Sequence, residues 1–204
     1  MDVVELFREA DGHNWMMNAV VNPDLEDDTT LAHGYQHALD AVVADWQAGN
    51  RFDFVVPAIV LLGRHAIELA LKGGIRVAEA ELGRRTTDPV LAAEVRETWM
   101  RKTAGHDLSK LRDELLRLLS RLGEEPLPSE VNEVIDSLAA LDPSGDSFRY
   151  SNTWDRQSSS TVRTPRPRGK DGMVNVVALG RRLSEVTTTL LIVQDVITHG
   201  RPDL

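Results

Sequence analysis

Four polar residues recur at helical spacing inside an otherwise apolar stretch: Arg64, His65, Glu68 and Lys72. Steps of four residues place Arg64, Glu68 and Lys72 on one face of a helix, with His65 beside them. Such a face is either a solvated stripe of ion pairs or one wall of a cleft in which the polar groups find partners. In the second interpretation the four residues belong to a ligand-binding site.

A second candidate lies in Gly105-His106-Asp107-Leu108, at the predicted start of another helix. The purely structural interpretation is that Asp107 or His106 caps this helix. The helix dipole disfavours a cationic imidazole there, so His106 tends to stay neutral and can act as a base or acceptor. Arg101 precedes it and completes an Arg-x4-His pattern. His106 is therefore a candidate for proton transfer.

A third candidate is Arg149, which lies between Phe148 and Tyr150 in a segment without helical periodicity. It is either a packed loop anchor or a guanidinium presented to a phosphate or carboxylate. His33 and His37, with Asp40 on the same helical face, have a spacing that can hold a metal. The glutamate of HExxH is missing, however, so surface histidines are favoured and we expect neither metal nor cofactor.

Composition indicates a globular helical protein that contains 42% hydrophobic, 27% charged and 5% aromatic residues. The chain has no cysteine, which excludes disulfides and thiolate chemistry and suits a reducing cytoplasm. Ten acids and one base lie between Asp2 and Asp45, so this segment has a net charge of −9. The whole chain also has a net charge of −9, and the remaining residues are therefore neutral in sum. We therefore expect an acidic flank over residues 1–28 and no uniformly basic surface for nucleic acid.

Hydrophobic periodicity predicts an all-α fold: an antiparallel bundle of four long helices with two or three short ones. The long helices are expected from Thr29 or Thr30 to Gly49, Asp53 to Glu81, Asp107 to Leu122, and Met173 to Thr198. One domain then covers residues 29–200, with an irregular basic loop at 144–172 that is either solvated or binds a phosphate-rich partner. The longest apolar run has nine residues, so no membrane span is expected.

Three motifs resemble the HEPN superfamily. The stretch from Arg64 to Lys72 is similar to its H-x-x-E-x-x-L-K motif, and Gly105-His-Asp-Leu108, followed by Leu111, resembles T/G-H-D-L-x-x-L. Phe148-Arg-Tyr150 is similar to an FRYP loop of some bacterial HEPN-like proteins, with Ser151 in place of the proline. The resemblance covers approximately Ala58 to Tyr150.

The resemblance implies a helical bundle, usually dimeric, in prokaryotic toxin–antitoxin, anti-phage or RNA-processing settings. Many members are metal-independent ribonucleases that use an Arg-x(4–6)-His motif, in which histidine transfers protons and arginine stabilises the pentacoordinate phosphate. That motif normally belongs to a later helix. Here the final helix contains Arg181 and Arg182 but no histidine before His199, and the Arg-x4-His pattern lies at Arg101 and His106.

Two functional hypotheses follow. In the first, a cytoplasmic homodimer binds RNA or a nucleotide in one cleft, with His106 as general acid and base and Arg101 or Arg149 as phosphate clamp. The residues expected to bind in this cleft are Arg64, His65, Glu68, Lys72 and Tyr150. In the second, the chain is a non-catalytic module in which the acidic flank and the near-heptad face of the last helix dock an antitoxin or other partner subunit.

Overall fold

The computed structural model describes residues 26–85, 93–143, 145, 148, 152–155, 160–163 and 173–200. Its helices are α1 (Asp28–Gln47), α2 (Val56–Arg85), α3 (Ala93–Trp99), α4 (Leu108–Leu122), α5 (Ser129–Leu141) and α6 (Val176–His199). A 3₁₀ turn, Asp53–Val55, leads into α2, and a π-helical turn, Met100–Ala104, follows α3. The predicted helical character is confirmed.

Two short strands lie in the segment that the sequence predicts to be irregular. They are β1 (Asn152–Asp155) and β2 (Ser160–Arg163), which pair antiparallel with Asn152 opposite Arg163. The expectation that residues 144–172 lack regular structure is therefore wrong for these eight residues. A ribbon with four residues per strand is too short to give a detectable period in the sequence.

Helix α2 forms the centre of the fold and packs against α1, α4 and α6. Its apolar side chains are fully buried on several sides, and they include Ile59, Ile67, Leu71, Ile75 and Leu82. The broad apolar surface of α2 is therefore contacted on several sides. Burial of this kind supplies the main favourable free energy of folding.

The helices do not form a simple antiparallel bundle. Where α2 contacts α4 and α6, later residues of one helix lie beside later residues of the other. Between α1 and α6, later residues of one helix lie beside earlier residues of the other. The pairs are Glu68–His106 and Arg85–Glu124 for α2 with α4, Gly63–Leu183 and Ala70–Gln194 for α2 with α6, and Thr29–Gln194 and Gln36–Ser184 for α1 with α6. Helices α2, α4 and α6 are thus parallel, and α1 runs against α6. The antiparallel arrangement predicted from the apolar stripes is wrong on this point.

Side-chain caps fix the ends of two helices near the cleft described below. Asp27, rather than Thr29 or Thr30, caps α1 and accepts a hydrogen bond from the Thr30 amide at 2.7 Å. Asp107 caps α4 through the Lys110 amide at 3.2 Å, as its position before Leu108 predicts. Asp107 thereby fixes where α4 begins, directly after His106.

Helices α1 and α6 approach α2 closely at Gly73. A Cβ atom at Gly73 would lie 2.8 Å from the Thr29 hydroxyl oxygen and 3.2 Å from the Gln194 amide oxygen. The same hydroxyl donates to Gln194 at 2.7 Å, and the Gln194 amide donates to the Ala70 carbonyl at 2.7 Å. The missing side chain therefore makes room for a buried polar link between α1, α2 and α6.

One helical stretch, Asp53–Arg85, is long and apolar enough to cross a membrane by length and composition, with 33 residues and a mean hydropathy of 1.8 in its most apolar window. In this fold 56% of that window is buried by other parts of the chain. Because a buried core helix of a soluble protein has the same length and hydropathy, these two properties are weak evidence for a membrane-spanning helix.

Candidate functional site

A cleft of about 310 Å³ lies between α2, the π-helical turn and the start of α4. Its lining includes five of the residues singled out in the sequence, namely His65, Glu68, Lys72, Arg101 and His106. Helix α2 contributes the first three through its regular spacing, and the turn between α3 and α4 contributes the other two. The structure therefore brings the two helical motifs and the Arg-x4-His pattern to one place.

The chain between Arg101 and His106 has an unusual local conformation. The Gly105 amide donates to the Met100 carbonyl at 2.8 Å, which closes a π-helical turn, and Gly105 has φ +56°. A side chain at Gly105 would make this backbone conformation costly, since positive φ is strained in most residues. π-Helical turns recur at functional sites of proteins. Here the turn and Gly105 together place Arg101 and His106 on the same cleft.

Glu68 is the centre of the polar contacts in the cleft, although only 1% of its side chain is exposed. It accepts from Lys72 Nζ at 2.7 Å and from Arg64 Nη1 at 3.1 Å. Burial opposes its ionisation, but the hydrogen bond and charge of Lys72, together with the interactions with His106, outweigh burial, so that the pKa of Glu68 lies below its usual value. Glu68 is therefore a carboxylate at neutral pH.

This carboxylate holds the imidazole of His106. Nδ1 of His106 lies 2.9 Å from one oxygen of Glu68 and 3.1 Å from the other. Because an ionised carboxylate only accepts hydrogen bonds, Nδ1 carries the hydrogen. The side chain is 47% exposed, and Nε2 bonds to no residue in the described part of the chain. His106 thus presents an unprotonated Nε2 in its neutral form, which is the arrangement of a general base.

Arg101 is the cation of the cleft that remains available to a ligand. It is exposed and forms no ion pair with any described residue. The two other cations that line the cleft are paired: Lys72 with Glu68, and Arg76 with Asp28 and Glu97. A free guanidinium beside a general base suits an anionic ligand such as a phosphate.

Arg64 lies behind the cleft instead of lining it. Only 2% of Arg64 is exposed, and its contacts are Glu68, the His106 carbonyl and Asp142. Arg64 was expected among the binding residues, but a guanidinium buried to this extent cannot reach a ligand in the cleft. The sequence pattern missed this because Arg64 and Glu68 have the spacing of any surface ion pair.

His65 is partly buried at the edge of the cleft and packs edge-on against Tyr35 of α1, with ring centroids 4.4 Å apart and an interplanar angle of 88°. His33 and His37 are both exposed on α1. No cluster of three or more potential metal ligands occurs among the residues that the structure describes. The His33 and His37 pair therefore has no third ligand beside it in the described fold.

Arg149 and Tyr150 lie outside the described residues, as does most of the basic segment from Arg156 to Lys170. Phe148 is partly buried and packs against the hydrophobic core. No local signal marks Asp142 as a site residue, since an acid at the end of α5 is typical of a simple helix stop. Its importance depends on a contact across 78 residues with Arg64, which no local pattern encodes.

No family model matches the chain, and neither a curated protein nor a solved structure is significantly similar to it.

Proposed function

We propose that the chain is an HEPN-like, metal-independent ribonuclease that binds RNA in the cleft between α2 and α4. One observation carries the proposal: a buried, ionised Glu68 holds Nδ1 of His106, while the exposed imidazole shares its cleft with the unpaired Arg101. Such a carboxylate–histidine pair fixes the tautomer and orientation of a general base. The resemblance of the motifs around Glu68 and His106 to HEPN proteins supports the same reaction.

In the proposed reaction, Nε2 of His106 removes the proton from a ribose 2′-hydroxyl. The 2′-oxygen then attacks the adjacent phosphorus, and Arg101 stabilises the negative charge that develops on the phosphate oxygens. The imidazolium returns its proton to the departing 5′-oxygen, and a 2′,3′-cyclic phosphate and a 5′-hydroxyl result. No metal is needed, since the acid, the base and the charge-stabilising group all come from side chains.

The resemblance also supports the setting in which this reaction takes place. We propose a homodimer in the bacterial cytoplasm that acts in defence, stress response or a toxin–antitoxin pair. An antitoxin or other regulatory protein is then the expected protein partner, and no cofactor is required.

The alternative, a non-catalytic module that docks a partner through the last helix, is less well supported. Most of the near-heptad side chains of α6 are buried inside the chain itself, including Val176, Leu183, Val186, Leu190 and Ile197. This face therefore packs against the rest of the fold. Most of the acidic flank, residues 1–25, lies outside the described residues.

Cleavage of labelled RNA by the purified protein, with and without EDTA, tests the proposal. We expect cleavage that persists in EDTA, ends in a cyclic phosphate, and falls about 100-fold or more in His106→Ala. His199→Ala is the matched control, because His199 also places Nδ1 2.9 Å from a carboxylate, that of Asp195, on an exposed surface outside the cleft. Its activity should equal that of the wild type.

Arg101→Ala should bind RNA more weakly and cleave it more slowly, because Arg101 lines the cleft and forms no ion pair with the residues that the structure describes. Lys102→Ala, which changes an exposed cation next to it that does not line the cleft, is the control. Absence of both cleavage and RNA binding at low salt would refute the ribonuclease and the RNA-binding hypothesis together. Cleavage that is equal in His106→Ala and wild type would refute the assigned mechanism.

A further inference from the structure

Arg64 joins three separate parts of the chain at the back of the cleft. Nη1 donates to Glu68 at 3.1 Å, and Nη2 donates to the backbone carbonyl of His106 at 2.6 Å and to that of Asp142 at 3.2 Å. Nε lies 3.3 Å from the Asp142 carboxylate. Arg64 therefore holds both the backbone of His106 and the carboxylate that orients its imidazole.

The Arg64 contact adds to a backbone hydrogen bond that closes the turn at His106, in which the Asp107 amide donates to the Ala104 carbonyl at 2.9 Å. His106 follows the π-helical turn and precedes Asp107, the capping residue of α4. In a regular helix, the His106 carbonyl would accept a hydrogen bond from the backbone amide four residues later. Here it accepts one from the Arg64 guanidinium. The planar guanidinium, with donors in fixed directions, is suited to connecting several acceptors at once.

Two residues that follow α5, Asp142 and Gly145, pack against this arrangement. Asp142 is fully buried, and Gly145, with φ +80°, lies directly on Arg64 and His106. A Cβ atom at Gly145 would be 3.0 Å from Arg64 Nη1 and 3.2 Å from His106 Cβ. The end of α5 and the start of the following loop are thus packed on the inner side of the residue that carries the proposed chemistry.

We propose that Arg64 is a positioning residue that couples Asp142 and Gly145 to His106, so that the orientation and tautomer of the His106 imidazole depend on how these two residues pack against Arg64. Arg64 itself touches no ligand. The catalytic consequence rests on the proposed ribonuclease function, whereas the structural coupling does not.

The tautomer of His106 gives a direct measurement of this coupling. Long-range ¹H–¹⁵N correlation spectra of the ¹⁵N-histidine-labelled full chain distinguish Nδ1–H from Nε2–H imidazole, and His106→Gln assigns the signal. The wild type should show the Nδ1–H form, because Nδ1 donates to Glu68. In Gly145→Ala, Asp142→Asn and Arg64→Lys, we expect the signal to shift toward the Nε2–H form and kcat for RNA cleavage to fall with little change in KM.

Gly123→Ala is the matched control for Gly145→Ala. Gly123 ends α4 with φ +75°, so alanine is strained there to a similar degree, but an added Cβ has no atom within 4 Å. Its loss of stability should therefore be similar, with the tautomer unchanged. A thermal unfolding transition for each variant identifies any that does not fold, and the remaining variants then decide the outcome.

The proposal is overturned if the folded variants of Gly145, Asp142 and Arg64 keep the Nδ1–H signal, or if Gly123→Ala loses it to the same extent. A tautomer shift in a protein that does not cleave RNA would support the coupling and refute the ribonuclease. Cleavage with an unchanged tautomer in all variants would support the ribonuclease and refute the coupling. The two proposals therefore fail in distinguishable ways.

Discussion

Replacement of Glu68 by glutamine should destabilise the protein strongly, although the two side chains have nearly the same shape. Glu68 is 1% exposed and lies between Arg64 and Lys72, of which Arg64 is 2% and Lys72 18% exposed. Removal of one partner from a buried ion pair costs about 3–5 kcal/mol, because the other charge stays buried. Arg64 retains Asp142, and Lys72 can reach water, so we expect a loss of about 3 kcal/mol, at the lower end of this range.

This loss is measurable by urea and thermal unfolding followed by circular dichroism at pH 7. For a chain of 204 residues, each kcal/mol lowers Tm by about 2–4 °C, so Glu68→Gln should lower it by about 6–12 °C. Glu185→Gln is the matched control: the same substitution at an ion pair with Arg181, in which the Glu185 side chain is 63% exposed. Exposed pairs contribute at most about 1 kcal/mol.

The difference in stability between wild type and Glu68→Gln should also depend on pH in a defined direction. The pKa of Glu68 in the fold lies below the value of about 4.3 for an unfolded chain, so the unfolded state binds more protons between these two values. The contribution of Glu68 is complete above the unfolded pKa and is lost as the pH falls through the folded pKa. The gap between wild type and Glu68→Gln should therefore narrow on acidification. A loss no larger than that of the control, or a gap that is constant with pH, would refute the reasoning.

Three further predictions concern stability and are checked by the same unfolding measurements. Gly63→Ala should lower the stability by about 1–3 kcal/mol, because its Cβ would lie 2.7 Å from the side chain of Leu183. Gly34→Ala, where nothing lies within 4 Å of the added Cβ, should instead stabilise the protein by about 0.5–1 kcal/mol. Equal effects of the two substitutions would contradict the close contact between α2 and α6. Gln194→Leu should cost about 1–3 kcal/mol by leaving a carbonyl of α2 and a hydroxyl of α1 without their partner; a neutral effect would argue against that link. Asp107→Ala should cost about 1 kcal/mol through loss of the α4 cap, and an unchanged stability would show that the cap contributes little.

The sequence predicted well those features that depend on local periodicity. The helices predicted from Asp53 to Glu81 and from Asp107 to Leu122 correspond to α2 (Val56–Arg85) and α4 (Leu108–Leu122), because their apolar spacing is a local signal. The prediction that Gly105-His106-Asp107-Leu108 begins a helix is also confirmed, because a capping aspartate before an apolar stripe is a local signal. Local signals also placed the cap of α1 too late, since Asp27, Thr29 and Thr30 are all good capping residues and only the fold selects among them.

The direction of the helices could not be predicted in the same way. Apolar stripes determine which face of a helix is buried, but they carry no information about which end of a neighbour lies beside it. Short connections make successive helices antiparallel. The connections from α2 to α4 and from α5 to α6 are longer, so that α4 and α6 can each begin near the N-terminal half of α2. The parallel arrangement of α2, α4 and α6 therefore depends on tertiary contacts.

The buried role of Arg64 was equally inaccessible from the sequence. Its spacing from Glu68 is the same in a solvated stripe and in a buried network, and only the contacts with His106 and Asp142 distinguish the two. By contrast, Glu68 and His106, which belong to two motifs singled out in the sequence, are in contact in the structure. The sequence thus located the cleft but did not distinguish the residues that line it from the residue that supports it.

The parallel arrangement of α2, α4 and α6 has a consequence for the rate of folding. A bundle with successive antiparallel helices makes most of its contacts between neighbours in the sequence and folds rapidly. Here the links that fix α6 join residues far apart in the chain, 165 positions between Thr29 and Gln194 and 124 between Ala70 and Gln194. The entropy of closing these loops must be lost before the contacts compensate for it. We therefore expect α1 and α2 to associate early, α6 to dock late, and refolding to be slower than is usual for a helical protein of this size.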